Sequence, residues 1–306
     1  MKTSFRRPLP WHLPPFFFSI AAALALSIAV PLAAAAQPVD GGAAALRSKF
    51  DASQTQLQRN AFGRPLLLAS TEASDRLSGD IYAVVEHPFP EVGRAMALPA
   101  VWCEVLMLHL NTKHCAIKTG DKGTTLAVAI GRKFDQPLAD AQRIDFVYGV
   151  ESAQSDYLDV RLSADVGPLS TRDYRIALEA VPVAGGKTFL HLGYAYAYGT
   201  AARLAMKAYL ATVGSDKVGF TPSGTDAQGQ PDFIGGVRGV VERNTMRYYL
   251  AIDAYLDAPG PQARDKRAGQ WFDGTERYAR QLHELGREDY LAMKRNEFQR
   301  LDTARP

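Results

Sequence analysis

Between His114 and Gly199 the chain offers six extended stretches almost without interruption. They read HCAIKTG, TTLAVAIGRKF, QRIDFVYGVES, DYLDVRLSAD, TRDYRIALEAVPV and KTFLHLGYAYAYG. Most are rich in β-branched or aromatic residues and alternate with period two. The connections, such as GDKG and the Gly185-Gly186 pair, are too short for the crossovers that parallel neighbours require. The run therefore predicts an antiparallel meander, with one face in need of cover. The cover comes from downstream, because the period turns helical after Thr200. AARLAMKAYLATVG reads as a helix over 201–212, followed by a loop or short hairpin. The stretch from Phe233 to Ala258 is the longest helix candidate, with Ile234, Val237, Val241, Tyr248, Ile252 and Tyr255 spaced by three, four or seven. Two more helices follow, built on Trp271, Tyr278, Leu282 and Leu285, and on Tyr290, Leu291, Phe298 and Leu301.

The N-terminus reads as an export segment over residues 1–36. Lys2, Arg6 and Arg7 precede an apolar run from Phe16 to Leu32, and Ala34 and Ala36 occupy small-residue positions before Gln37. The apolar run is short for a span and breaks at Pro31, which favours cleavage near Ala36 over an uncleaved anchor. Phe5 and Pro8 flank Arg6-Arg7 poorly for a twin-arginine signal. The expected location is periplasmic or secreted, with no stable membrane span after cleavage. An oxidising compartment favours joining Cys103 and Cys115, the only two cysteines among 306 residues. Free thiols, or a metal pair completed by His109 and His114, are the rivals, and Cys-x11-Cys matches no standard zinc spacing.

Residues 37–64 form an N-terminal helical lead, residues 65–258 the main domain and residues 259–306 a helical extension. Within the main domain, strand-like runs surround Ser70–Asp75, and Pro88 and Pro90 end the second of them. Two short helices from Pro90 to Leu110 then break at Pro99. A formal net charge of +3, with basic and acidic residues interleaved, gives no electrostatic footprint for nucleic acid.

The order is a strand over Asp80–Glu86, two short helices, about six antiparallel strands and a long helix. It resembles the START-like helix-grip superfamily of lipid-transfer domains, polyketide cyclases and plant-allergen-type ligand binders, also called SRPBCC. The resemblance rests on element order over roughly Leu77 to Ala258. It implies an α+β fold in which a curved antiparallel sheet wraps a long C-terminal helix, with an apolar ligand commonly held between them. The helix over 201–212 and the helical tail depart from that pattern.

Which residues face the helix depends on register. With Gly185-Gly186 as a two-residue turn, Leu178 lies opposite Gly193, Ile176 opposite Ala195 and Tyr174 opposite Ala197. Tyr194, Tyr196 and Tyr198 then share the outer face with Arg175, Asp173 and Glu179, and a three-residue loop would reverse this. On this reading Tyr148, Tyr174, His191, Gly193, Ala195, Ala197 and, from the long helix, Asn244 are the candidate ligand-binding residues. They sit among Leu126, Val128, Ile130, Ile144, Phe146, Leu158, Val160 and Leu162. Arg238 and Glu242 read as a surface ion pair, and Arg243 and Arg247 as surface cations or as partners of an anionic group at the groove mouth. A packed core without a guest fits the same composition.

No G-x-S-x-G, HExxH or phosphate-cradling glycine loop is present. No catalytic residue, cofactor or metal is therefore assigned. The leading expectation is an exported, non-enzymatic binder of a hydrophobic small molecule or lipid. The alternatives are a cyclase- or hydrolase-type enzyme using His191 with a tyrosine, and an envelope protein acting through its helical tail.

Overall fold

The computed structural model describes residues 40–303, apart from residues 122, 201, 202, 205, 207, 209–211 and 213–215. The expected export segment lies outside the described residues, as does most of the helix expected over 201–212. The strands are β1 (Leu66–Glu72), β2 (Arg76–Val85), β3 (Thr112–Gly120), β4 (Gly123–Ile130), β5 (Gln142–Ala153), β6 (Leu158–Val166), β7 (Thr171–Val183) and β8 (Lys187–Tyr198). They form one antiparallel sheet in the order β1-β2-β8-β7-β6-β5-β4-β3. β3 to β8 make the expected meander, and β2 closes onto the last of them. A small hairpin, β9 (Pro222–Thr225) and β10 (Pro231–Phe233), stands apart.

The helices are α1 (Asp40–Gln58), α2 (Phe89–Met96), α3 (Pro99–Leu106), α4 (Gly236–Asp257), α5 (Arg264–Glu276), α6 (Ala279–Leu282) and α7 (Arg287–Thr303). Proline marks the start of both α2 and α3, where its missing N–H costs nothing. Phe89, Val92 and Met96 give α2 one buried stripe, and Trp102 Nε1 donates to Met96 O at 2.8 Å across the break at Pro99.

α4 lies on one face of the sheet, over β1, β2 and β8. It approaches closely at Gly79, where a Cβ would overlap Thr245 Oγ1. α1 packs against the opposite face, where Leu46 and Leu57 meet Val181, Phe189 and Tyr157 in a separate cluster. The Cys103–Cys115 disulfide ties α3 to β3, with Cα atoms 5.4 Å apart, and closes a loop worth about 3 kcal/mol on the chain-entropy account.

The tail is built into the main core. Trp271 of α5 stacks on Tyr290 of α7 with centroids 4.9 Å apart, and Tyr290 Oη donates to Leu108 O at 2.9 Å. Glu104 accepts from both Arg264 and Arg267. Glu297 sits between Lys113 at 2.8 Å and Lys294 at 2.7 Å, with all three side chains fully buried. Among the described residues, no helix is long and apolar enough to cross a membrane.

Candidate functional site

The β7–β8 hairpin turns through three residues. Ala184, Gly185 and Gly186 form the loop, both glycines have positive φ (78° and 69°), and Val183 pairs with Lys187. That register differs by one from the two-residue turn. His191 consequently faces Glu179, Gly193 faces Ala177 and Ala195 faces Arg175. Tyr194 and Leu192 come to lie beside Ile176 and Leu178 on the α4 side. A bulge between Arg172 and Arg175, with Asp173 at φ 53°, adjusts the pairing again near Tyr198. The placement of His191, Gly193, Ala195 and Ala197 on the inner face is therefore corrected. All four belong to the face covered by α1, and the tyrosines face α4.

The wall under α4 is built from aromatic rings. Tyr194, Tyr196 and Tyr198 are buried, as is Tyr174. Tyr174 stacks on Tyr196 with centroids 5.3 Å apart and meets Phe146 edge-on at 6.1 Å. Tyr194 contacts Tyr248 of α4 at 5.3 Å, and Tyr248 stacks on His109 at 5.0 Å. Leu126, Val128, Ile144, Phe146, Leu158, Val160 and Leu162 line the same core, as their alternation predicts. Burial raises the pKa of Tyr174, Tyr194 and Tyr196, and pushes Tyr148 up to about 12. These hydroxyls are therefore neutral donors at ordinary pH. Tyr174 Oη donates to Thr171 at 2.8 Å, while Tyr148 Oη is buried with no partner among the described residues.

Of the candidate residues, Tyr148 and Tyr174 lie on this wall, and Asn244 accepts from Arg247 Nη1 at 3.4 Å beside it. The histidine at the wall is His109, which the sequence reading considered only as a metal ligand. Burial, reinforced by repulsion from Arg247 and Lys294, holds its pKa well below the ordinary value, so the ring is neutral. Asn111 N–H donates to His109 Nδ1 at 3.2 Å, which leaves the proton on Nε2, with Asn244 alongside. The burial of His109 has a sequence signal: it lies inside the otherwise apolar run VLMLHL, where an outward histidine would be the exception.

His191 has a different setting. Its Nε2 meets Asp80 Oδ1 at 2.8 Å and its Nδ1 meets Glu179 Oε2 at 3.0 Å. Its ring stacks on Tyr82 with centroids 4.3 Å apart. Tyr157 Oη donates to Glu179 at 2.6 Å. Burial disfavours the imidazolium, but the two carboxylates outweigh it and hold the His191 pKa above its ordinary value. Both ring nitrogens are engaged by carboxylates on the face covered by α1, away from the space under α4.

The long helix also departs from its surface reading. Glu242 is fully buried and accepts from Ser70 Oγ, Phe220 N, Thr221 N and Thr221 Oγ1. Arg238 donates to Ser70 Oγ at 2.8 Å. Arg243 and Arg247 are buried, donating to Val218 O and to Glu284.

The strand order, with β2 beside β8 and α2 and α3 inserted between β2 and β3, settles the architecture. This chain has a helix-grip fold, an antiparallel sheet with a long helix across one face. No family model and no curated protein matches its sequence. Among solved structures it is similar to a point mutant of norcoclaurine synthase from Thalictrum flavum, at 14% identity over 48% of this chain and 88% of that one, with a TM-score of 0.32. It is also similar to human StAR-related lipid transfer protein 5, at 11% identity over 56% of this chain and 90% of that one, with a TM-score of 0.30. For Ara h 8.0201 the figures are 11%, 59%, 97% and 0.34. Overlaps this loose carry no argument about activity, and the fold assignment rests on the chain's own topology.

Proposed function

We infer that the helix-grip domain binds a small hydrophobic or lipid-like ligand between the sheet and α4, outside the cytoplasm. The observation that carries this reading is the tyrosine wall itself. Tyr174, Tyr194 and Tyr196 present apolar rings with neutral hydroxyls, and the Tyr148 hydroxyl is buried without a partner. An apolar lining with a few fixed polar groups is the usual composition of such sites. The Cys103–Cys115 bridge supports an oxidising compartment, and sequencing the N-terminus of the mature protein tests cleavage near Ala36. Native mass spectrometry and lipid extraction of the full chain, purified from its own compartment, test the binding. A ligand of defined mass supports the reading, while no ligand and no uptake of neutral apolar probes would overturn it.

A cyclase- or hydrolase-type reaction at the same face is the second reading. The observation that favours it is His109, a neutral histidine stacked on Tyr248 at the wall. Turnover of a bound ligand that disappears in His109→Asn would support it, and His191→Asn would leave such turnover in place.

A further inference from the structure

An aromatic cavity opens at the β1 edge of the sheet and shares no lining residue with the tyrosine wall. Its volume is about 460 Å³, within the range of small-molecule sites. Phe62, Phe220 and Tyr278 form its back as a three-ring cluster, with centroid separations of 5.8, 5.6 and 6.2 Å. Phe233 of β10 forms a side wall, and the Arg280 guanidinium lies over its ring at 5.0 Å.

These walls are held in place before any guest arrives. Tyr278 Oη donates to Phe62 O at 2.9 Å. Phe220 N and Thr221 N are anchored on the buried Glu242 carboxylate at 2.5 and 2.9 Å. Arg280 donates to Pro231 O at 2.9 Å. A pocket fixed in this way loses little conformational entropy on binding.

The charged residues that line the cavity have one sign. Arg277 and Arg280 both line the cavity, and no carboxylate does. Arg280 has only a long contact to Asp232, at 3.9 Å with both side chains about half exposed. Arg277 is exposed and forms no ion pair among the described residues. Planar guanidinium groups pair with carboxylates and sulfonates through two parallel N–H donors.

We propose that this cavity is a second binding site, for an organic anion with a flat aromatic body. The body lies among Phe62, Phe220, Phe233 and Tyr278, and the acid group faces Arg277 and Arg280.

The test uses two dyes of similar shape on the full chain, anionic 8-anilinonaphthalene-1-sulfonate and neutral N-phenyl-1-naphthylamine. Both are titrated by fluorescence and calorimetry against the wild type and Arg277→Gln/Arg280→Gln. Both arginines are at the surface, and circular dichroism verifies that the variant is folded. The expected result is a loss of about ten-fold or more in affinity for the anionic dye, from removal of charge-assisted contacts, with affinity for the neutral dye within about two-fold of wild type. Phe233→Ala is expected to weaken the anionic dye as well. Equal affinity of wild type and double variant for the anionic dye would overturn the proposal, as would an equal loss for both dyes. The tyrosine wall, which the neutral dye also probes, has no residue in this cavity, so the part of each titration lost in Phe233→Ala is the part assigned here.

Discussion

Glu297→Gln tests whether the C-terminal helix is part of the domain. In the native protein the Glu297 carboxylate lies between two ammonium groups, and none of the three side chains is exposed. Lys113 also donates to Leu110 O at 2.9 Å, and Lys294 to His109 O at 2.7 Å and Thr112 O at 3.1 Å. Burial outweighs the pull of the carboxylate and leaves the Lys294 pKa lowered to about 8. Neutralising residue 297 leaves two amines in the core with only uncharged groups, carbonyls and the Met293 sulfur among them, to face. Each must stay charged without a counterion or give up its proton. Breaking a buried pair in this way costs about 3–5 kcal/mol, a large part of the ~5–15 kcal/mol that keeps a domain folded. Urea unfolding followed by the fluorescence of buried Trp102 and Trp271 should show the midpoint falling by roughly 1–2 M. The loss should persist in high salt, because buried charges are poorly screened. A triple replacement, Lys113→Met/Lys294→Met/Glu297→Leu, should recover much of it, since hydrophobic groups of similar size can replace a buried ionic cluster. A midpoint for Glu297→Gln within about 0.3 M of wild type would refute the reasoning, because α7 would then not be docked on β3.

Three further outcomes follow from the same geometry. Replacing Cys103 and Cys115 by serine should cost about 3 kcal/mol in chemical denaturation, and adding reductant to the wild type should reproduce the loss. Gly79→Ala should destabilise by about 1–3 kcal/mol, because its methyl overlaps Thr245; in a double-mutant cycle Thr245→Ala should relieve part of that cost, and strict additivity would argue against the close approach of α4. The third concerns pH. The folded-state pKa of His191 is raised, so its contribution is complete below the ordinary histidine value of about 6.5 and is lost as pH rises through the elevated one. Glu179 is depressed by His191 and Tyr157 against the opposing effect of burial, so its contribution is lost only as pH falls through a value below the ordinary range. The stability difference between wild type and His191→Gln should therefore shrink from neutral to alkaline pH, and a difference that grew with pH would contradict the Asp80–His191–Glu179 arrangement.

The element order was legible in the sequence because turn residues and a change of period mark each boundary. The inner faces of β4, β5, β6 and β7 were legible because alternation is clear in each of them. β8 was not, for two physical reasons. Gly185 and Gly186 suit a two-residue turn, yet here they are two of the three residues in the loop. In addition, α1 covers the far face, so that Phe189 and Leu190 are both fully buried and polarity cannot set the register. Buried charges were equally hidden. Arg238 and Glu242 are four residues apart, as in many surface pairs, and only the distant residues Ser70, Phe220 and Thr221 draw Glu242 into the core. His109 was missed because its partners Tyr248 and Asn244 come from a helix more than a hundred residues downstream.

The central claim is that a ligand seats on the tyrosines facing α4. Fluorine NMR of fluorotyrosine-labelled protein tests it directly, with resonances assigned by single tyrosine-to-phenylalanine substitutions and N-phenyl-1-naphthylamine as the probe. The resonances of Tyr174, Tyr194, Tyr196 and Tyr248 should move on titration, while those of Tyr82 and Tyr157, under α1, stay in place. Movement confined to Tyr82 and Tyr157, or none among the tyrosines facing α4, would contradict the claim.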